Sequence, residues 1–456
     1  MELTKNINKN IFREYDIRGK AGIDITEDIS YTIGASFGTY IKQLNKQSCI
    51  IAHDNRLSSP VLTDALIKGI VSTGINVINI GLVTTPMFYY ASIKLNVASG
   101  IMVTASHNPK DENGFKITFD ERGNARGKMI EDFYNFTING KFMTGEGTVS
   151  NYNIRNDYFK LFDNSLHFPQ NNLKVVIDPG NGTTSIIAED MYKRFIKNVI
   201  PINNVSDGTF PNHHPDPSVE SNLDELKAKV KSEDADLGVA FDGDGDRVGF
   251  ILNDGSYMPI DKFMIIIIRD LIKKVENKTF LYDVKCSKAL KDEIIKLGGT
   301  PYEYRTGSSY TKTKTKEMDL AFGGELAGHV YFRDRFPGFD SGLYAGLRLL
   351  EILARTGKKA AELLEGIEEY KTYNIDRIDS TDEEKHKLIE KVKEYAISKN
   401  YKFSLIDGIK IYFNDSWILL RASNTGPSIN GRIEAKTEEE IKRLYNEFMG
   451  VLKNEV

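Results

Sequence analysis

The sequence predicts an α/β protein made of three strand–loop–helix units, with a smaller α+β segment at the C-terminal end. Three observations carry that reading. A short β-branched run, a polar loop and a helical periodicity occur together near residue 48 and recur near 173 and 279. The loops that follow such runs hold the chain's most unusual polar clusters, where open α/β sheets place ligands. Beyond about residue 370 the chain changes to a charged helical stretch, strand-like runs and a closing amphipathic helix.

Residues 1–150 form the first unit. Ser48-Cys-Ile-Ile-Ala52 reads as a strand, followed by a polar loop at 53–60. Residues 61–72 have helical spacing, with Leu62, Leu66 and Ile70 on one face. Asn76-Val-Ile-Asn-Ile80 is a second strand, leading to Gly81 and the turn Thr84-Thr85-Pro86. The apolar run Ile101-Met-Val103 delivers Thr104-Ala-Ser-His-Asn-Pro109 to a loop. The chain then returns through an Asn113-Gly114 turn into the alternating Phe115-Lys-Ile-Thr-Phe119.

The second unit, 151–255, contains Leu173-Lys-Val-Val-Ile177, a glycine-containing turn and a helix, then the strand that ends at Phe241. The turn Asn253-Asp-Gly255 closes it. In the third, 256–370, Thr279-Phe-Leu-Tyr-Asp283 is again strand before helix, and Thr311-Lys-Thr-Lys-Thr-Lys316 reads as a solvated cationic face. The fourth, 371–456, has a charged helix at 381–398 and strands at 408–413, 417–421 and 432–435. An amphipathic helix at 438–452 completes it.

The 456 residues are 40% hydrophobic and 27% charged, which suits a soluble globular protein. A formal net charge of -4 argues against binding nucleic acid by bulk charge, while leaving a local cationic pocket open. Cys49 and Cys286 are too few for a disulfide framework or a zinc site and fit a reducing compartment. No signal-like apolar segment opens the chain, and the run Phe263-Met-Ile-Ile-Ile-Ile268 stops at Arg269, short of a membrane span. A cytoplasmic protein without nucleic-acid, membrane or obligatory protein partners is the expectation.

Chemistry concentrates in four loops. Asp242-Gly-Asp-Gly-Asp-Arg247 places carboxylates at alternate positions with glycines between. Two carboxylates about 5 Å apart repel by roughly 3 kcal/mol at an effective dielectric of 20, so the set calls for a cation. All-oxygen ligands suit Mg²⁺ rather than zinc. An EF-hand is excluded, since its sixth and twelfth positions here are Arg247 and Asn253. Arg421-Ala-Ser-Asn-Thr-Gly-Pro427 offers a guanidinium, hydroxyls and an amide for an anion. In Gly323-Gly-Glu-Leu-Ala-Gly-His329, Glu325 and His329 supply an acceptor and a titratable group. Ser106 with His107 lacks the Gly-x-Ser-x-Gly frame, and adjacent side chains on extended backbone diverge, which disfavours an acyl-transfer pair.

Together these segments resemble the α-D-phosphohexomutases, in particular the bacterial phosphomannomutase/phosphoglucomutase branch. The likeness runs from Phe12-Arg-Glu-Tyr-Asp-Ile-Arg-Gly19 through the serine and aspartate loops. It continues with Phe210-Pro-Asn-His-His-Pro-Asp-Pro217, Asp283-Val-Lys-Cys-Ser287 and the two later loops. It implies four domains around a central cleft: a phosphoserine domain (1–150), a metal-binding domain (151–255), a sugar-recognition domain (256–370) and a C-terminal phosphate-binding domain (371–456).

The resemblance implies phosphoryl transfer between the 1- and 6-positions of mannose or glucose phosphates through phosphoserine and a hexose 1,6-bisphosphate. Ser106, Asp242, Asp244 and Asp246 would bind Mg²⁺. Arg18 matches the acid/base position, Lys116 a cationic helper and His329 a proton-transfer candidate. Tyr15, His107, Arg247, Lys285, Ser308 and Glu325 would contact substrate, and Arg421, Ser423, Asn424 and Thr425 would hold its distal phosphate. Two positions depart from the branch: Ala327 where serine is frequent, and Ser308 where histidine is frequent. Both concern sugar contacts. The competing readings are a phosphoglucosamine mutase, a Mg²⁺-dependent sugar phosphatase and a non-catalytic sugar-phosphate binder. The N-terminal loop and the phosphate loop favour the mannose/glucose branch over the first.

Overall fold

The computed structural model describes residues 1–381, 383–422 and 428–453, apart from the Asp376 side chain. It divides into two compact units, Met1–Ile260 with Ala327–Leu363, and Asp261–Leu326 with Leu364–Val456.

In the first unit, strands β1 (Ile17–Lys20), β2 (Ser48–His53), β3 (Asn76–Leu82), β4 (Gly100–Val103), β5 (Glu112–Thr118) and β6 (Val149–Asn151) form a mixed sheet ordered β1-β5-β4-β2-β3-β6. β2 is parallel to β3 and β4, so the loops after all three leave the same edge. β5 returns antiparallel between β4 and β1. One apolar face packs Ile33, Phe37, Leu66, Ile101, Phe115 and Phe133 into a continuous core.

Helices are placed by local chemistry. Helix Thr85–Leu95 starts where the Thr84 hydroxyl accepts the Met87 N–H, has proline in its first turn and ends at Asn96 with φ 54°. Helices Glu27–Gln43 and Ser59–Val71 cross at glycine. A Cβ on Gly34 would meet the Leu66 carbonyl oxygen at 2.2 Å, and one on Gly69 would meet that of Tyr31 at 2.1 Å.

A second sheet in this unit is built from β7 (Lys174–Asp178), β8 (Asn198–Pro201), β9 (Leu237–Phe241), β10 (Val248–Leu252) and β11 (Tyr257–Met258), ordered β11-β10-β9-β7-β8. β9 is parallel to β7 and antiparallel to β10, so residues 242–247 are the turn between two fully buried strands.

In the second unit, β12 (Thr279–Asp283) lies parallel to both β13 (Thr300–Tyr304) and β14 (Phe322–Gly324). β15 (Val330–Phe332) belongs to the first unit. The C-terminal part has β16 (Lys371–Asp379), β17 (Lys402–Ser404), β18 (Ile409–Tyr412), β19 (Trp417–Ala422) and β20 (Ser428–Ala435). They form an antiparallel sheet ordered β16-β20-β19-β18-β17. Helices Glu384–Ser398 and Glu438–Lys453 pack their apolar stripes into its core. The architecture is thus α/β with mixed sheets and a C-terminal α+β domain. No helix among the described residues is long and apolar enough to cross a membrane.

Three local expectations are corrected. Asn113-Gly114 is no turn: both residues lie inside β5, and a Cβ on Gly114 would strike the Ile17 carbonyl oxygen at 2.1 Å across the β1–β5 pair. Residues 311–316 lie in helix Ser308–Glu317 with Thr311 and Thr315 buried, so the alternating lysines do not share one face: Lys312 and Lys314 are half-buried on either side of that stripe and only Lys316 is exposed. The C-terminal part has five strands, because β16 and β17 are polar and gave no alternating apolar signal.

Candidate active site

The serine loop is the segment after β4. Ser106 is buried at 1% exposure and sits at φ 51°, a left-handed conformation unusual for serine. Its backbone N–H donates to Thr104 Oγ1 at 2.9 Å, and its hydroxyl donates to Asp242 Oδ2 at 2.8 Å. The left-handed turn also corrects the expected divergence of neighbours: His107 Nδ1 stands 3.3 Å from Ser106 Oγ. Burial, then Arg247 and Arg18, hold the His107 imidazole well below its ordinary pKa. That ring is a neutral neighbour of the hydroxyl.

The β9–β10 turn faces this serine. Gly243 is required there, because a Cβ would lie 2.5 Å from the Ser106 carbonyl oxygen. Asp242 Oδ1 accepts the N–H groups of Gly245 (3.0 Å) and Arg247 (3.1 Å), which fold the turn on itself. Asp242, Asp244 and Asp246 are buried, each with a carboxylate oxygen within 4.8 Å of the others'. Asp244 Oδ2 accepts from Thr85 Oγ1 (2.6 Å) and Lys116 Nζ (2.7 Å), and Lys116 reaches Asp246 Oδ2 at 2.5 Å.

Lys116 neutralises part of this charge. Burial alone would lower its pKa, but Asp244 and Asp246 hold it well above the ordinary value. Burial first, then Asp244 and Asp246, push the Asp242 carboxyl well above the carboxylate range. Oδ1 of Asp244 and Oδ1 of Asp246 are buried without a hydrogen-bond partner. One lysine against three carboxylates, two orphaned oxygens and an all-oxygen donor set fit a hard divalent cation.

Arg18, on β1, bonds Asp16 Oδ2 at 2.8 Å and donates to the Ala105 carbonyl at 3.2 Å and to the Asn108 side chain. Arg247 Nε donates to His329 Nε2 at 3.0 Å, and His329 Nδ1 lies 2.9 Å from Asp340 Oδ2 and 3.6 Å from Asp246 Oδ1. The structure thus brings Ser106, His107, Arg18, Lys116, the three aspartates, Arg247 and His329 into one connected set. Tyr15 is half-buried in the bend before β1. Thr85 and Asp340 were missed by sequence. Thr85 was marked only as a turn residue after a strand, and nothing around Asp340 distinguishes it from other loop aspartates.

A second set lies in the second unit. The Glu325 carboxylate accepts the Gly307 N–H at 3.0 Å and the Thr311 hydroxyl. Asp283 accepts from Thr306 Oγ1 (2.8 Å) and the Leu326 N–H (3.0 Å), with Lys285 Nζ at 3.6 Å. Burial works against the Asp283 charge, but Lys285 and these donors hold its pKa below the ordinary range. Arg421 Nη2 pairs with Asp407 Oδ2 at 2.8 Å, and the same oxygen accepts the Thr306 N–H at 2.9 Å. Ser308 opens the helix that carries Thr311. Ser423, Asn424 and Thr425 lie outside the described residues.

Four family models match in succession. Phosphoglucomutase/phosphomannomutase alpha/beta/alpha domains I, II and III match residues 9–142, 156–255 and 259–370, and the C-terminal domain matches 377–451. The chain belongs to the phosphoglucomutase/phosphomannomutase family. Within this family, the Pseudomonas aeruginosa protein named phosphomannomutase/phosphoglucomutase is 38% identical over 97% of this chain and 96% of its own length. A Neisseria meningitidis phosphoglucomutase is 34% identical over 98% of each chain. Among solved structures, a phosphoglucomutase/phosphomannomutase family protein from Burkholderia thailandensis superposes with TM-score 0.91, at 34% identity and 98% coverage of both chains. Parafusin of Paramecium shares the fold, with TM-score 0.78 at 19% identity.

Proposed function

We propose that the protein is a phosphohexomutase that moves a phosphoryl group between the 1- and 6-positions of glucose or mannose phosphates, with Ser106 as carrier. The observation that carries this reading is the Ser106 hydroxyl donating to Asp242 within the three-aspartate cluster. An acyl-transfer serine has no use for three buried carboxylates. A phosphoryl carrier does, because its phosphate brings negative charge that must be balanced. The names of the P. aeruginosa and N. meningitidis relatives favour the same substrates.

In the forward half, the phosphoserine P–O bond breaks as a hexose hydroxyl oxygen forms a new P–O bond. The hydroxyl loses its proton and Ser106 Oγ regains one, giving a hexose 1,6-bisphosphate. In the return half the other phosphoryl passes back to Ser106. Arg18 and His329 are proposed to handle these protons, and Lys116, His107 and Arg247 to line the phosphoryl group, with Tyr15 beside them. Asp242, Asp244, Asp246 and Ser106 are proposed to hold Mg²⁺, which supplies charge neutralisation for the transferring group. Lys285, Ser308 and Glu325 are assigned to the sugar, and Arg421 with residues 423–425 to the phosphate that does not react. This assignment goes with a four-domain division at about residues 150, 255 and 370.

The full-length enzyme with Mg²⁺, glucose 1-phosphate and a trace of glucose 1,6-bisphosphate is expected to form glucose 6-phosphate, read by a coupled dehydrogenase assay. Release of inorganic phosphate without isomerisation would instead identify a phosphatase.

A further inference from the structure

Arg56 stands in the loop after β2 and has no part in the assignments above. It is one of the largest fully buried side chains, at 1% exposure. Its Nη1 donates to the carbonyls of Pro109 (2.6 Å) and Glu112 (2.9 Å), and its Nη2 to those of Ser106 (2.8 Å) and Asn108 (2.7 Å). Nε faces Asp54 Oδ2 at 3.2 Å, and the other Asp54 oxygen accepts the Arg56 N–H at 3.0 Å. The Phe210 ring lies 5.3 Å from the guanidinium carbon.

These contacts are concentrated, not scattered. All four carbonyls belong to residues 106–112, the segment that holds Ser106 at φ 51°. In a trans peptide the N–H points opposite to the C=O, so the amides of His107 and Lys110 are turned away from Arg56. A non-glycine residue in a left-handed conformation persists only where its surroundings over-determine it, and a planar cation with a rigid donor fork does that here. Phe210 comes from the second sheet's domain, in the motif at 210–217. The same loop packs on Arg56 at Gly208, where a Cβ would lie 2.3 Å from the Asn55 carbonyl oxygen. Asn55 in turn donates to the Asn181 carbonyl at 2.7 Å and to Ser206 Oγ at 3.0 Å.

We propose that Arg56 is a positioning residue for phosphoryl transfer: its guanidinium holds residues 106–112 in the conformation that presents Ser106 Oγ to Asp242. Through Asn55 and Phe210 it also fixes that loop to the domain that bears the aspartates. The proposal rests on Ser106 being the phosphoryl carrier.

Arg56→Lys retains the charge but cannot reproduce a planar fork over four carbonyls. In this variant, kcat and the rate at which dephosphorylated enzyme takes phosphoryl from glucose 1,6-bisphosphate are expected to fall about a hundredfold. KM for glucose 1-phosphate should stay within about threefold, with the protein still folded at the assay temperature. A kcat within about threefold of the unaltered enzyme overturns the proposal, as does a loss equal to the unfolded fraction seen by circular dichroism. If Arg56→Lys does not fold, the isosteric Asp54→Asn decides: a roughly tenfold loss of kcat at unchanged KM supports the role, and full kcat overturns it. Ser106→Ala, run alongside, separates the two readings. Turnover retained there removes the serine assignment itself, whereas inactive Ser106→Ala beside fully active Arg56→Lys removes only the role of Arg56.

Discussion

Ser106 donates its hydroxyl hydrogen bond to a carboxyl group that burial and two neighbouring aspartates have pushed towards its protonated form. The sign of the linkage follows. Below the raised pKa of Asp242 a proton occupies the oxygen a cation needs, so binding must displace it; above that pKa the carboxylate is already free. Mg²⁺ affinity is therefore expected to weaken as pH falls towards that pKa, with proton release on binding. Calorimetry at several pH values, in buffers of different ionisation enthalpy, checks this. Affinity independent of pH, with no proton released, would show that Asp242 is already ionised before the cation binds. At this scale the sequence was informative where spacing alone defines chemistry, as in the alternating aspartates. It failed where backbone conformation intervenes: Ser106 and His107 would diverge on extended backbone, and φ 51° brings them within 3.3 Å.

At the scale of elements, the parallel strands β2, β3 and β4 and the turn between β9 and β10 were readable as apolar runs ending in polar loops. Asn113-Gly114 was not, because the same pair suits a hairpin turn or a strand in which another backbone comes close. Only the partner strand distinguishes them, and the partner lies near residue 17. The same long-range logic governs the Gly34/Gly69 helix crossing. Gly69→Ala should destabilise the protein by about 1–3 kcal/mol, even though alanine is the better helix former, because the new methyl meets the Tyr31 carbonyl oxygen. A thermal melt reads the result. An unchanged or higher Tm would mean that the helices separate freely.

Over the whole molecule, the order of the motifs along 456 residues was legible throughout, and the family models match in that order. Less legible was how distant polar strands pair, as β16 does with β20, since neither advertises its partner. In the second unit, Asp407 accepts from both Arg421 and the Thr306 N–H, so the proposed phosphate anchor and the loop before Ser308 share one carboxylate. Arg421→Ala is expected to raise KM for hexose phosphates at least about tenfold, the worth of a charge-assisted hydrogen bond. A KM equal to that of the unaltered enzyme would remove Arg421 from the anchor. Ser308 and Ala327 make the sugar itself the open variable, and kcat/KM for glucose, mannose and glucosamine phosphates ranks the choices.

The central claim is that one serine carries the phosphoryl group between two positions of a hexose. Its most direct test is mass spectrometry of the full-length enzyme after exposure to glucose 1,6-bisphosphate and Mg²⁺, then to glucose 1-phosphate. The account predicts a single phosphoryl group on the peptide bearing Ser106, absent in Ser106→Ala, and, when that group is isotopically labelled, found in the glucose 6-phosphate formed while the serine takes up the unlabelled phosphoryl of glucose 1-phosphate. Isomerisation with no phosphoryl group on that peptide, or undiminished isomerisation by Ser106→Ala, would contradict it.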